Sequence, residues 1–542
     1  MDRTALLLFL LFLIQRTSGQ TEPIVQMPDG AVKGTYNYTI WENVKFSAFK
    51  GMRYGQAPVG PLRFKPPVPV QPWNGTLDAT QHGSVCPQYV LELQVFQGNE
   101  DCLSINVYTP YTNFTGPLAL KPVFVWIYGG GFQYGYSNDT LYACDFLIEK
   151  DIVAVTFNYR TGPFGFLALD HPDALGNAGL KDQYLALQWV QRNIAAFGGD
   201  PNQVMLIGES AGAVSVGYHV LADQAKGLFS KAVYMSGAPL CPWGHHSATE
   251  AHQNAYNLGL VLGHVSTSDD DLLKFLLSVP AMDLVEASLA LWATSILPFR
   301  PTIENTAVDY NKTAYVTQCS MQKYNTGNFT KLPTMLGYTH DEALLFLSPV
   351  YTLTQNVTTE SLFNYLSRVD PFTTALLITA LNYTLNTTIE NMVKVASDIF
   401  FVAPIDRTQE LLAANNMNNS IYYYRQSYES KNPWHRLIGN VTQPGVAHFD
   451  DVPYVFRMVY VPTPTDPNDP DYQNINRMTT ALANFAKYGD PTPVFNNPFN
   501  IAWPPSGQEG LQIDLNTTCT TSTNFQDSTV EFYKQALSQT CY

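Results

Sequence analysis

Between residues 123 and 237 the chain alternates continuous apolar runs with amphipathic stretches, and that alternation narrows its possible folds sharply. "VFVWIY" (Val123 to Tyr128) and "DIVAVTFNY" (Asp151 to Tyr159) are rich in β-branched and aromatic residues, as expected of strands buried on both faces. "GLKDQYLALQWVQRNIAAF" (Gly179 to Phe197) instead spaces Leu180, Tyr184, Leu187, Val190, Ile194 and Phe197 by three or four residues, which predicts an amphipathic helix. A strand at Gln203 to Gly208, a helix at Ala211 to Ala222 and a strand at Lys231 to Gly237 continue the pattern. Strands alternating with helices predict an α/β fold with a large, mostly parallel central sheet covered by helices on both sides. Beyond about residue 245 the pattern weakens into helical, Asn-rich and Pro-rich segments. Strand-like runs return at Leu332 to Thr339, Ser420 to Arg425 and Leu511 to Asp514, and a helix is expected from about Ile475 to Tyr488. This half reads as the rest of the sheet plus long insertions.

A chain of 542 residues can hold one large enzyme domain when insertions are long. No internal repeat, low-complexity tract or polar linker divides it, so residues 20–542 are expected to form a single catalytic domain. Only 14% of residues are charged and 45% are hydrophobic, which excludes the composition of a disordered chain. A formal net charge of −15 argues against a nucleic-acid partner, because phosphate binding relies on Lys and Arg patches.

The first residues, "MDRTALLLFLLFLIQRTSGQ", place Arg3 before an apolar run and small residues after it, the pattern of a secretory signal peptide (residues 1–19) cleaved near Gly19. As a helix, the ten apolar residues would span about 15 Å, half of a hydrocarbon core of about 30 Å, so a membrane anchor fits poorly. Twelve N-x-S/T sequons agree with export of a glycoprotein: Asn37, Asn74, Asn113, Asn138, Asn311, Asn328, Asn356, Asn382, Asn386, Asn418, Asn440 and Asn516. The expected destination is extracellular. Seven cysteines leave an odd one for a free thiol or an interchain bond, and no CxxC pair suggests zinc or redox chemistry.

"LIGESAG" (Leu206 to Gly212) sets Ser210 in a tight turn between a predicted strand and a predicted helix, where active sites gather in parallel sheets. Gly208 and Gly212 let strand and helix approach closely around a strained serine, and the helix start favours developing negative charge. By itself a GxSxG match arises by chance in roughly one of five chains of this length. A nucleophile also needs a base, an orienting acid and an oxyanion hole. "WIYGGGFQYG" (Trp126 to Gly135) addresses the last: three glycines after a buried strand offer backbone N–H groups without side-chain crowding.

These motifs, with "FKGMRYGQAPVGPLRFKPP" (Phe49 to Pro67), "NEDCLSINVYTP" (Asn99 to Pro110), "NYRTGPFGFL" (Asn158 to Leu167) and "GNAGLKDQYLALQWVQRNIAAFGGDP" (Gly176 to Pro201), resemble the type-B carboxylesterase and cholinesterase family of α/β-hydrolases. The resemblance implies an ester hydrolase with a Ser-acid-His triad, an acyl-enzyme intermediate and no metal or cofactor. It implies oxyanion donors at Gly130, Gly131 and Ala211. In "LGYTHDEALLF" the family's triad acid is the glutamate of the DE pair, Glu342, with Asp341 as its competitor. Only His435 and His448 follow Glu342. "GVAHFDDVPYVF" resembles the family's histidine segment and selects His448, whereas His435 in "KNPWHR" reads as a surface-loop residue. Glu209 resembles an acid that orders the pocket, outside the triad.

The resemblance also implies a Cys86–Cys102 disulfide. The loop it closes contains no tryptophan to face a quaternary ammonium, and aliphatic Leu345 stands where an aromatic residue would help bind choline. A small-molecule ester substrate of a carboxylesterase therefore fits better than choline. Trp243 and Phe346 are expected as pocket walls, and Phe449, where many relatives carry glycine, is expected to narrow the pocket. Cys541 is expected either to bridge two chains, which would make a homodimer, or to pair with Cys519. The rival readings are a non-catalytic adhesion protein on the same fold and a lipase.

Overall fold

The apolar runs between residues 121 and 237 form the middle of an eleven-stranded sheet in the computed structural model. The structure describes residues 22–90, 94–369, 371–383, 388–416, 419–523 and 528–537. The proposed signal peptide, sequon positions Asn386 and Asn418, and Cys541 lie outside them. In chain order the sheet strands are β1 (Thr35–Tyr38), β2 (Lys45–Arg53), β3 (Ser104–Thr109), β4 (Lys121–Ile127), β5 (Val153–Phe157), β6 (Gly199–Glu209), β7 (Lys231–Met235), β8 (Thr334–Thr339), β9 (Ile421–Gln426), β10 (Gln512–Leu515) and β11 (Thr520–Ser522). Across the sheet the order is β11-β10-β9-β8-β7-β6-β4-β5-β3-β2-β1.

Every pairing from β5 through β4, β6, β7, β8 and β9 to β10 is parallel, and the strands beyond them at both edges are antiparallel. The mostly parallel α/β architecture expected from the alternation is therefore present. Val123 to Ile127 of β4 and Val153 to Phe157 of β5 are fully buried, which is why these strands read as unbroken apolar runs. The N-terminal strands β1 to β3 mix polar residues into their sequence and escaped the sequence reading.

Helix α1 (Ala178–Asn193) buries Leu180, Leu187 and Val190 against the sheet. It stops four residues earlier than predicted, because Ile194–Phe197 tighten into a 3-10 turn that ends on Gly198 in the left-handed region at φ 82°. Helix α2 (Ala211–Leu221) follows β6 after the single residue Ser210 and is buried along its whole length. The insertions that blurred the pattern after residue 245 are mostly helical. They include α3 (Leu347–Thr354), α4 (Ile389–Ser397) and α5 (Ala403–Asn415), and α6 (Pro470–Tyr488) packs back against the sheet. Among the described residues no single helix is long and apolar enough to cross a membrane.

Cys86 and Cys102 form the expected disulfide. Cys144, Cys241 and Cys519 carry free thiols, so the pairing of Cys519 with Cys541 is not made, and Cys319 is itself disulfide-bonded.

Candidate active site

Ser210 sits between the last residue of β6 and the first residue of α2, with φ 57° and ψ −125°. That conformation is costly for a residue with a side chain and persists only where the surroundings enforce it. Here the Ser210 N–H donates to the Met235 carbonyl at the end of β7 (2.9 Å), and the Ser210 carbonyl accepts the first helical bond from Val214 (3.0 Å). The flanking glycines are required by contact: a Cβ on Gly212 would lie 2.0 Å from the Ile127 carbonyl oxygen, and one on Gly208 2.4 Å from the Gly212 carbonyl carbon. Ser210 is 8% exposed, at the wall of a cavity of about 560 Å³.

The glycine loop follows β4 and lines the same cavity. Gly130 (φ 99°) and Gly131 (φ 59°) both occupy left-handed backbone. Their carbonyl oxygens are tied inside the loop, Gly130 by the N–H groups of Gln133 and Tyr134 and Gly131 by the Gln133 side chain. Ala211 opens α2, so its N–H belongs to the first turn, which has no partner within the helix.

Glu342 begins a 3-10 turn just after β8, and its carboxylate is aimed by the Thr339 N–H, which donates to Oε1 at 2.7 Å. Its Oε2 lies 2.5 Å from Nδ1 of His448, and the His448 N–H donates to the Glu342 carbonyl at 3.3 Å. Asp341 points elsewhere: it accepts the Val446 N–H at 3.0 Å and pairs with exposed His340. His448 directs Nε2 toward Glu209, 3.0 Å from Oε1. The sequence brings Ser210 and His448 to one cavity, but no hydrogen bond joins the two side chains among the described residues. Such bonds commonly tighten only when substrate is bound.

Three buried carboxylates, Glu209, Glu342 and Asp451, surround the one imidazole. Neither oxygen of Glu209 has a hydrogen-bond partner, since the His448 contact is not aligned for one. Burial therefore pushes Glu209 up to about 8, against the opposing charge of His448. Asp451 is pushed up to about 7, by burial and then by Glu342. Burial alone would lower His448, but the charges of Glu209 and Glu342 outweigh it and raise the imidazole to about 9.

Trp243, Leu345, Phe346 and Phe449 all line the cavity. Phe449 adopts φ 77°, a left-handed conformation in which a glycine carries no penalty, and stacks obliquely on Trp434 with ring centroids 5.1 Å apart. Several aromatic walls were missed by sequence reasoning, Phe400 and Phe401 beside the imidazole among them. Phe400 and Phe401 lie in a π turn, Asp398–Val402, between α4 and α5, and Phe401 packs 4.8 Å from the His448 ring. The extra residue of the π turn breaks the helical spacing that would have flagged them, and such turns gather at functional sites.

His435 departs from expectation. It is 3% exposed and lines the cavity, with Nδ1 2.5 Å from Oδ2 of Asp450, so it is no surface-loop residue. The polar run around it reads as exposed only because the carboxylate that receives it lies fifteen residues away. His219, by contrast, is held between Gln183 and Tyr315 in the core, as expected of a structural histidine.

The family model of the carboxylesterase family matches residues 21–533. The chain belongs to the carboxylesterase family. It is similar to juvenile hormone esterase of Heliothis virescens, at 29% identity over 94% of this chain and 93% of that protein. It is also similar to esterase B1 of Culex pipiens, at 32% identity over 89% of this chain and 92% of that one. Among solved structures, the crystal structure of juvenile hormone esterase from Manduca sexta with OTFP covalently attached superposes with a TM-score of 0.82. It shares 28% sequence identity and is matched over 96% of this chain and 99% of that one, which places this carboxylesterase family member in the α/β-hydrolase fold.

Proposed function

We propose that this carboxylesterase family member is a secreted enzyme that hydrolyses small carboxylic esters through an acyl-enzyme on Ser210. The observation that carries the reading is a strained serine on the wall of a cavity shared with His448, whose Nδ1 is held by Glu342. His448 takes the Ser210 proton as Oγ attacks the carbonyl carbon, and Glu342 orients the ring and stabilises its charged form. The N–H groups of Gly130, Gly131 and Ala211 receive the oxyanion. His448 then protonates the leaving alcohol, and water repeats the sequence on the acyl-enzyme.

Leu345, Phe346, Phe400 and Phe401 give the cavity apolar walls, which suits an ester with an apolar acyl or alcohol part. Covalently attached OTFP in the Manduca sexta relative is consistent with covalent catalysis in this fold. Export is supported by the N-terminal pattern and by exposed sequons at Asn74, Asn113, Asn311, Asn328, Asn356 and Asn440.

The test is a panel of acyl and alcohol esters assayed on purified protein beside Ser210→Ala. Turnover in the wild type that vanishes in the variant supports the reading; undiminished turnover in Ser210→Ala overturns it. Absence of turnover in well-folded wild type would favour a binding protein, and activity that climbs above the solubility limit of a long-chain ester would favour a lipase.

A further inference from the structure

The loop that carries His448 is suspended from two anchors, and the second involves no residue of the proposed triad. On one side Asp341 exchanges backbone bonds with Val446, its N–H donating to the Val446 carbonyl at 2.9 Å, while its carboxylate accepts the Val446 N–H. On the other side stands buried Asp450, two residues beyond His448. Its Oδ1 accepts the His435 backbone N–H at 3.0 Å, and its Oδ2 accepts both the Ala447 N–H at 2.8 Å and Nδ1 of His435 at 2.5 Å.

The far side of the same ring closes the arrangement: Nε2 of His435 lies 3.1 Å from the Gln443 carbonyl oxygen. The His435 carbonyl in turn accepts the Val441 N–H at 3.0 Å. Residues 443 and 447 thus hang from one imidazole and one carboxylate, and residue 441 from the His435 backbone. A carbonyl oxygen can only accept, and Asp450 already accepts two backbone N–H bonds as a carboxylate does. Each ring nitrogen of His435 thus faces an oxygen acceptor, Nδ1 the Asp450 carboxylate and Nε2 the Gln443 carbonyl.

We infer that His435, clasped to Asp450, is a positioning residue that fixes the loop on which His448 approaches Ser210. Core packing alone does not call for this chemistry: an apolar side chain would fill the same volume, whereas two nitrogens at opposite ends of a rigid ring tie two separate parts of the loop together. The inference rests on the proposed role of His448 as the base. Misplacing a reacting group by about 1 Å costs on the order of a hundredfold in rate, so a loosened clasp acts on turnover rather than on binding.

The experiment compares wild type with His435→Phe, His435→Asn and Asp450→Asn on a small soluble ester, with Ser210→Ala and His448→Ala as controls and Tm measured for each. His435→Phe keeps a ring and loses both nitrogens; kcat is expected to fall about 10- to 100-fold with KM changed less than about twofold. His435→Asn restores a donor near the position of Nδ1 and is expected to recover part of kcat, although its Tm need not recover. Asp450→Asn should lower kcat in the same way, and combining it with His435→Phe should cost less than the sum of the two.

Wild-type kcat in a folded His435→Phe protein would overturn the inference. So would losses that follow Tm alone, with no recovery in His435→Asn. If His435→Phe does not fold, the comparison of His435→Asn with Asp450→Asn decides by the same split between kcat and KM. Full turnover in Ser210→Ala or His448→Ala would instead overturn the proposed mechanism, which separates the two failures.

Discussion

Nε2 of His448 lies 3.0 Å from Oε1 of Glu209, so the edge of the imidazole proposed to accept the Ser210 proton looks at a buried acid. An unperturbed imidazole titrates near 6.5, whereas flanking carboxylates hold His448 up at about 9. Because they stabilise the charged ring, a higher pH is needed to free the base. The acid limb of kcat/KM should therefore lie on the alkaline side of an ordinary histidine limb. Glu209→Gln removes the charge that raises His448 most and should move that limb to lower pH, by about one unit or more. A pH-rate profile of the two proteins checks it, and coincident limbs would contradict the assignment.

The same buried groups tie stability to pH. Glu209, Asp451 and His448 all hold their protons more tightly folded than unfolded, so their stabilising contribution is full at low pH and is lost as pH rises toward about 9. Glu209→Gln takes the acid and part of the histidine effect out of this balance. Its Tm relative to wild type should be higher at pH 8 than at pH 5 by about a few °C. Thermal scans at the two pH values measure the difference, and a reversed sign would show that Glu209 is stabilised as a carboxylate.

Glu342 and Asp341 are neighbours in sequence with different partners, and their amide variants should separate accordingly. Glu342→Gln keeps the shape that meets Nδ1 but removes the charge that stabilises the imidazolium, and kcat should fall by about 10³ to 10⁴. Asp341→Asn retains an oxygen for the Val446 N–H, so kcat should stay within about tenfold of wild type, roughly 1.4 kcal/mol in the barrier. Parallel kinetics on both variants settle which acid serves His448.

The turn around Ser210 tolerates no added carbon. Gly212→Ala would place a methyl group 2.0 Å from a backbone carbonyl of β4, which cannot swing aside as a side chain can. Overpacking of this kind costs about 1–3 kcal/mol or more. The variant should lose Tm together with activity, read as a joint drop in soluble yield and in turnover. Gly116→Ala, where an added Cβ meets nothing within 4 Å but φ is 101°, measures backbone strain without crowding and so separates the two effects.

Local signals made the serine legible and long-range ones did not. An apolar strand, a glycine-flanked serine and an amphipathic helix occupy adjacent positions, so Ser210 and its sterics could be read from short spacing. Glu342 and His448 meet across 106 positions, and only resemblance to a family pointed to either. His435 was misread because its partner, Asp450, arrives by tertiary folding. Phe400 and Phe401 were hidden because a π turn shifts the helical period by one residue at the point where the chain enters the cavity. The central parallel strands were legible because burial on both faces leaves only apolar residues, a condition the half-exposed β1 does not meet.

Phe449 opposes two effects of similar size. Its left-handed φ of 77° costs about 1–2 kcal/mol, which glycine would recover. Its ring, 5.1 Å from Trp434, contributes about 0.5–1.5 kcal/mol beyond area burial, which glycine would forfeit. The half-buried ring's own area burial adds to the loss, so Phe449→Gly should lower Tm by about a few degrees while opening the cavity beside His448. Relative kcat/KM for a bulky, branched ester over a small acetate should rise several-fold, because one removed ring relieves a steric limit without touching Ser210, Glu342 or His448. An unchanged ratio across the ester panel in a folded variant would place the limiting constriction at Phe400 and Phe401 instead.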